Sequence, residues 1–170
     1  DYPVLQSSPE EPEYYLPRDY RGNYDINGSL FLQADCILGE SKNLTIYGHN
    51  MNSGAMFGNL DLYAGEDYYN AHRFAYLQTE DGIQEYKIVT VLKADRNLFP
   101  FQQKLPDVVA VQEYLKVAKR REVFETGDDY LKCIYDKVLT LVTCSYEWSG
   151  ARNIVLAVPV SGAVWSQKCS

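Results

Sequence analysis

The sequence predicts a mostly β single domain, a sandwich or barrel with one helix inserted between two strands. Three observations predict it. Short runs rich in β-branched and aromatic residues, Ser29–Gln33, Leu44–Tyr47, Phe74–Thr79, Glu85–Leu92, Val138–Cys144 and Asn153–Val160, are separated by Gly, Asp and Asn turn signals. One segment, Pro106 to Arg121, changes period, with Val108, Val111, Leu115 and Ala118 recurring at three- and four-residue steps. The third observation is size: 170 residues make one domain, which can bury about 68–70% of its unfolded surface without metals or staples.

Taken in order, residues 1–25 hold four of the seven prolines. Proline fixes φ and withholds an N–H, so this stretch is expected to be extended or turn-like and to wrap a surface. The strands Ser29–Gln33 and Leu44–Tyr47 follow. A weaker helical stretch from Met56 to about Ala71, interrupted by Gly58 and Gly65, reads as two short helices. Phe74–Thr79 and Glu85–Leu92 then form a hairpin, with Asp81-Gly82 as the expected two-residue turn. The inserted helix, about 107–121, has Asp107 at its start and Lys119, Arg120 and Arg121 at its end, matching the macrodipole. That basic end, with Lys116, reads as a solvated helix terminus. The last two strands, Val138–Cys144 and Asn153–Val160, are separated by a short loop. The 15 tyrosines read mainly as packing residues.

Charge excludes several functions. Sixteen Lys and Arg against 23 Asp and Glu give a net charge of −7. That argues against nucleic acid, which favours a basic face, and against docking on anionic lipid through a polybasic patch. The longest apolar stretch, Ile154 to Val160, is far short of the roughly 20 residues that span a bilayer. The chain opens at Asp1 without a basic and apolar leader, so a targeting segment is expected to have been removed. Cys36, Cys133, Cys144 and Cys169 contain no C-x-x-C pair, and only His49 and His72 could complete a metal site. No metal and no cofactor are expected.

Three residues stand at junctions between a strand and a loop. Cys144 ends an apolar strand, where a thiol can be exposed enough to react or can simply be a small buried hydrophobe. His49 follows Leu44–Tyr47 and opens a loop rich in Gly, Asn and Ser. Its ordinary pKa, about 6.5, suits proton transfer. Arg152 opens the strand after Cys144. If these two strands are antiparallel neighbours, Arg152 lies beside Cys144, where a guanidinium favours the thiolate and can stabilise an oxyanion. His72 sits at a helix-to-strand junction and is the weaker base. Together His49, Cys144 and Arg152 point to acyl transfer on a cysteine.

Chain order narrows that chemistry. Papain-like enzymes place Cys before His, the reverse of the order here. Chymotrypsin-like cysteine proteases carry G-x-C-G, whereas Thr143-Cys144-Ser145-Tyr146 has neither glycine. L,D-transpeptidases place His two residues before Cys, where Val142 stands.

Tyr47-Gly48-His49-Asn50-Met51, Thr140-Leu141-Val142-Thr143-Cys144 and Arg152 resemble the signature blocks of sortases, the cysteine transpeptidases of Gram-positive surfaces, and of class B in particular. Asp1–Gln6, Tyr14-Tyr15-Leu16, Gly28–Leu32 and Met56–Leu60 extend the resemblance over almost the whole chain. It implies one catalytic domain over residues 1–170, without the membrane anchor and leading helices of class B members. It implies a closed eight-stranded β-barrel with peripheral helices.

The implied activity has two steps. Cys144 attacks the Thr carbonyl of a C-terminal sorting motif in a secreted protein, giving a thioester. His49 protonates the leaving amine and then deprotonates the incoming amine of a peptidoglycan precursor. Arg152 holds the carbonyl and oxyanion, with the Ser145 N–H as second donor, and Leu30, Tyr47, Thr143 and Ser145 meet substrate. The loop and helix from about Asn97 to Arg121 form one wall of the groove. Such an enzyme works on the outer face of the cell membrane. The alternatives are a pilin-polymerising or mainly hydrolytic sortase, or a non-catalytic surface binding module. Two positions depart from the class pattern: Val142 stands where many members have Ser, and Gln33 where an acidic residue is common. Glu147, three residues past the cysteine, reads as a solvated loop carboxylate.

Overall fold

The structure is a computed structural model that describes residues 1–127, 129–144 and 149–160, with Cys144 described by its backbone alone. In chain order its strands are β1 (Val4–Gln6), β2 (Leu30–Leu32), β3 (Asn43–Tyr47), β4 (Phe74–Thr79), β5 (Gly82–Ala94), β6 (Val138–Cys144) and β7 (Arg152–Pro159). Between β3 and β4 lie a 3-10 helix, Gly58–Ala64, and α1, Glu66–Ala71. The helix α2, Val108–Lys119, and a short 3-10 turn, Tyr130–Lys132, lie between β5 and β6.

The strands form one sheet in the order β1-β2-β3-β6-β7-β5-β4. β3 runs parallel to β6, while β7 is antiparallel to both β6 and β5. Six strands fall on the runs legible in the sequence. The seventh, β1, comes from the proline-rich start, where Val4, Leu5 and Gln6 pair in parallel with Leu30, Phe31 and Leu32. The described residues supply seven strands where the resemblance implied eight in a closed barrel. β1 and β4 each pair on one side only, and both line one apolar cavity of about 760 Å³. The sheet is therefore curled but not closed by these strands.

The hairpin turn also sits one residue earlier than expected. Thr79 pairs with Gly82, leaving Glu80 and Asp81 at the tip. Neither has positive φ; the left-handed requirement falls on Gly82, at φ 124°, which closes the turn as only glycine does without strain.

Strand alternation divides the core in two. On the inner, concave face Leu44, Ile46, Leu139, Leu141, Val155 and Ala157 pack with Leu30, Phe57, Leu60 and Tyr69. On the outer face Val138, Val142, Ile154, Leu156 and Val158 pack against α2. The buried stripe of α2 is Val111, Tyr114, Leu115 and Ala118, spaced to lie on one side of the helix, while Val109 stays exposed. Asp107 caps it, its carboxylate accepting from the Ala110 N–H at 2.8 Å. At the other end Lys116 pairs with Glu113 and Lys119 with Glu122, so both lysines of the basic cluster are paired locally. Among the described residues no helix is long and apolar enough to cross a membrane.

Candidate active site

The register of three central strands assembles one rim of the sheet. β3 and β6 are parallel, with Tyr47 opposite Val142, so both chains leave the sheet at the same end. β7 enters at that end, since Cys144 is the Cα partner of Arg152 and Thr143 of Asn153. Ala94, the last residue of β5, flanks Arg152 on its other side. Beyond Tyr47 the pairing continues through Gly48, whose N–H donates to the Val142 carbonyl at 3.2 Å. The Thr143 hydroxyl donates to the Gly48 carbonyl at 2.8 Å. His49 thus begins its loop beside the end of β6. The antiparallel neighbourhood of β6 and β7 on which the reading of Arg152 depended is present.

His49 is half-buried, and its Nε2 lies 2.8 Å from the Leu16 carbonyl oxygen. A carbonyl only accepts, so Nε2 carries a proton, and Nδ1 is the nitrogen left to exchange one. Its backbone is fixed as well, because the Phe57 N–H donates to the His49 carbonyl at 3.0 Å. The Leu16 segment lies close to Gly28. A Cβ there would strike the Leu16 carbonyl oxygen and come within 3.1 Å of His49 Cδ2, and Gly28 has φ 58°. His72, in contrast, closes α1, with Nδ1 3.0 Å from the Tyr68 carbonyl and its ring stacked on Tyr68.

Arg152 is half-buried and donates through Nη1 to the Ala151 carbonyl at 2.9 Å. Among the described residues that is its one hydrogen bond, and a guanidinium carries five N–H donors in all. Ser145 and Glu147 lie outside the described residues. The other cysteines differ in setting. Cys36 is a buried free thiol donating to the Asn43 carbonyl at 3.2 Å, and burial pushes its pKa up, which keeps it protonated. Cys133 is disulfide-bonded. No group of three or more His, Cys, Asp or Glu able to hold a metal is gathered among the described residues.

The remaining expected substrate contacts fall on different faces. Leu30, 6% exposed, belongs to the inner core. Thr143 is 2% exposed, with its hydroxyl committed to Gly48. Both therefore sit beneath the rim. Tyr47 is half-buried on the outer side, stacked on Phe31 with ring centroids 5.4 Å apart. Its hydroxyl donates to Gln33 Oε1 at 2.9 Å and accepts from Gln102 Nε2 at 2.8 Å. Burial pushes its pKa up to about 12, so it stays a neutral donor at neutral pH.

Those bonds belong to a row. Asn43, Thr45 and Tyr47 alternate along β3 and all hold the connection between β5 and α2. Asn43 Nδ2 donates to the Phe101 and Gln103 carbonyls, each at 3.0 Å. The Thr45 hydroxyl donates to the Phe101 carbonyl at 3.2 Å. Gln33 Nε2 continues to Asp35 at 2.7 Å, and Lys104 pairs with Asp35 at 3.1 Å. The Gln33 amide, then Lys104, hold the Asp35 carboxyl below its ordinary pKa. Gln33, the departure from the class pattern, is thus the link between Tyr47 and Asp35.

Sequence reasoning missed the Leu16 carbonyl, Gln102 and Asp61. Asp61, on the 3-10 helix, accepts from Asn50 Nδ2 at 2.7 Å and from Asn153 Nδ2. Asn50 and Asn153 adjoin His49 and Arg152. The one available signal was the placement of an Asn directly after both His49 and Arg152.

The sortase domain family matches residues 1–160. Sortase B of Listeria monocytogenes serovar 1/2a is 31% identical over 153 residues, which are 86% of this chain and 58% of that protein. Sortase B of Staphylococcus aureus is 24% identical over 162 residues, 93% of this chain and 64% of that protein. The chain thus spans about 60% of the length of these curated relatives. The X-ray structure of Clostridium perfringens sortase B superposes with a TM-score of 0.83 at 26% identity, covering 94% of this chain and 87% of that one. The Staphylococcus aureus sortase B–substrate complex shares the fold, with a TM-score of 0.79. A model match across nearly the whole chain, carried on the same sheet, shows that it belongs to the sortase family, with sortases of class B as its relatives.

Proposed function

We propose that this domain is a cysteine transpeptidase in which Cys144 is the nucleophile, His49 the acid and base, and Arg152 the oxyanion donor. The observation that carries the reading is the register: parallel β3 and β6 with antiparallel β7 bring His49, Cys144 and Arg152 to one rim. In the first step the Cys144 thiol gives its proton to His49 and its sulfur bonds to the Thr carbonyl carbon of a sorting motif. The C–N bond to the next residue breaks, and the leaving amine takes a proton from His49. In the second, an amine of a peptidoglycan precursor gives its proton to His49 and displaces the thiolate. Arg152 donates to the oxyanion in both.

Tyr47 and the connection pinned to it, from about Asn97, support a rigid wall for the peptide, with Leu30 and Thr143 supporting the rim from below. The Ser145 N–H serves as second oxyanion donor. The seam between β1 and β4 is where an eighth strand would complete a closed barrel. Acting on secreted proteins, the enzyme works outside the cell membrane, tethered by an anchoring segment. A cofactor has no part in this chemistry.

The test is intact-protein mass spectrometry after incubation with N-P-x-T-N and S-P-x-T-G type peptides, using hydroxylamine as surrogate amine. An acyl adduct on Cys144, discharged by hydroxylamine and absent in Cys144→Ala and Arg152→Ala, is the expected result. Folded protein that gains no adduct with any peptide would favour a binding module instead.

A further inference from the structure

We infer that Asp61 is a positioning residue for this site, cross-bracing the backbone that carries His49 to the backbone that carries Arg152. The inference rests on the transpeptidase reading. Asp61 stands on the 3-10 helix Gly58–Ala64, outside all three strands of the rim. One of its carboxylate oxygens accepts from Asn50 Nδ2 at 2.7 Å, the other from Asn153 Nδ2. Both asparagines are deeply buried, at 7% and 3% exposure, so their amides have no bulk water to fall back on.

Strand alternation gives the brace its purpose. Arg152 shares its side of β7 with Ile154 and Leu156, which pack on the outer face, whereas Asn153 is on the inner side. A pull on Asn153 is therefore transmitted through a single peptide unit to Arg152. Asn50 stands in the same relation to His49. The Thr143–Gly48 bond already ties β6 to the residue before His49, and the Asp61 link adds a connection from β7 to the His49 loop. A carboxylate suits the place because it accepts at two oxygens and donates at neither. Without it, base and oxyanion donor are held to each other through β6, with no brace across the inner side, and a displacement of about 1 Å between reacting groups can cost about 100-fold in rate.

The experiment compares the parent with Asp61→Ala, Asp61→Asn and Asn153→Ala, measuring peptide transfer to hydroxylamine per alkylatable Cys144, together with the melting temperature. Asp61→Ala should lose about tenfold or more in kcat with KM within about twofold, the pattern of a lost transition-state arrangement. Asp61→Asn keeps an acceptor for one amide and should lose less. If Asp61→Ala does not fold, Asn153→Ala cuts one arm alone and should lower kcat about threefold or more. Folded Asp61→Ala, or failing that folded Asn153→Ala, with kcat within twofold of the parent would overturn the inference, even if its melting temperature fell.

A substrate-free readout separates this from failure of the function itself. Should the parent show no turnover dependent on Cys144, the transpeptidase reading fails. The rate of Cys144 alkylation by iodoacetamide then decides the brace: slowing by about threefold or more in Asp61→Ala supports it, and an unchanged rate overturns it.

Discussion

The Leu16 carbonyl oxygen accepts a hydrogen bond from His49 Nε2 at 2.8 Å, across 33 residues of sequence. The proline-rich start of the chain is thereby part of the site, fixing which imidazole nitrogen is free to exchange a proton.

Gly28 makes that contact sterically possible, so Gly28→Ala should be costly on two counts. Its φ of 58° disfavours a side chain by about 1–2 kcal/mol, and the new Cβ would drive Leu16 away from His49. Urea denaturation should show a loss of at least that size, and kcat should fall by about tenfold or more. A variant of parental stability and parental activity would remove the Leu16 contact from the mechanism.

Thr143→Val keeps the shape of the side chain while deleting its hydroxyl. The Gly48 carbonyl then loses its donor from β6 at a site 2% exposed. A loss of about 1–3 kcal/mol in stability is expected, with a lower kcat because the residue before His49 is no longer held to β6. Chemical denaturation and steady-state kinetics read the two effects separately.

Tyr47→Phe removes one hydroxyl that serves both Gln33 and Gln102. The ring and its stacking on Phe31 remain, so the loss of stability should be modest, about 1 kcal/mol. The local consequence should be larger. Amide hydrogen exchange over the connection between β5 and α2 should accelerate, while α2 itself keeps its protection.

Alkaline pH should unfold the domain more steeply than its exposed tyrosines alone would require. Burial raises Tyr47 and Tyr63 to about 12, and it raises Tyr86, Tyr114 and Tyr130 as well. A phenol that holds its proton more tightly when folded stabilises the fold fully below its unfolded pKa of about 10. That contribution disappears as pH rises from about 10 through the folded values. Following tyrosinate absorbance and circular dichroism together, exposed tyrosines should ionise first and the buried group only as the fold is lost. Complete ionisation with an intact fold would contradict the burial.

Much of this was legible in the sequence because it is local. The run Val138–Cys144 carries its strand character in its own composition, as does Leu44–Tyr47, and both ended where loop residues begin. α2 was readable for the same reason, since Val111, Leu115 and Ala118 repeat at the helical period and Asp107 caps them. β1 was not, because three residues have no period of their own; pairing with β2 makes Val4–Gln6 a strand. The burial of Leu30 in the inner core and the bond from the Thr143 hydroxyl to Gly48 were not legible either, because both depend on which way the pleat turns each side chain. The Gly82 turn differed by one residue because backbone dihedrals, not the Asp-Gly pair itself, set which residues form the tip.

By itself the sequence determined the chemistry available: one histidine at a strand exit, one cysteine at a strand end and one arginine at the next strand start, with the strands that carry them. Hydrophobic pattern and turn residues act over a few positions, so a linear reading suffices for those. Tertiary structure alone decided how these groups are held. The Leu16 carbonyl has no side-chain signature, and Asp61 meets Asn50 and Asn153 only because the 3-10 helix packs across the sheet. Such contacts join residues far apart in the chain and arise from packing, which no local pattern of residue types encodes.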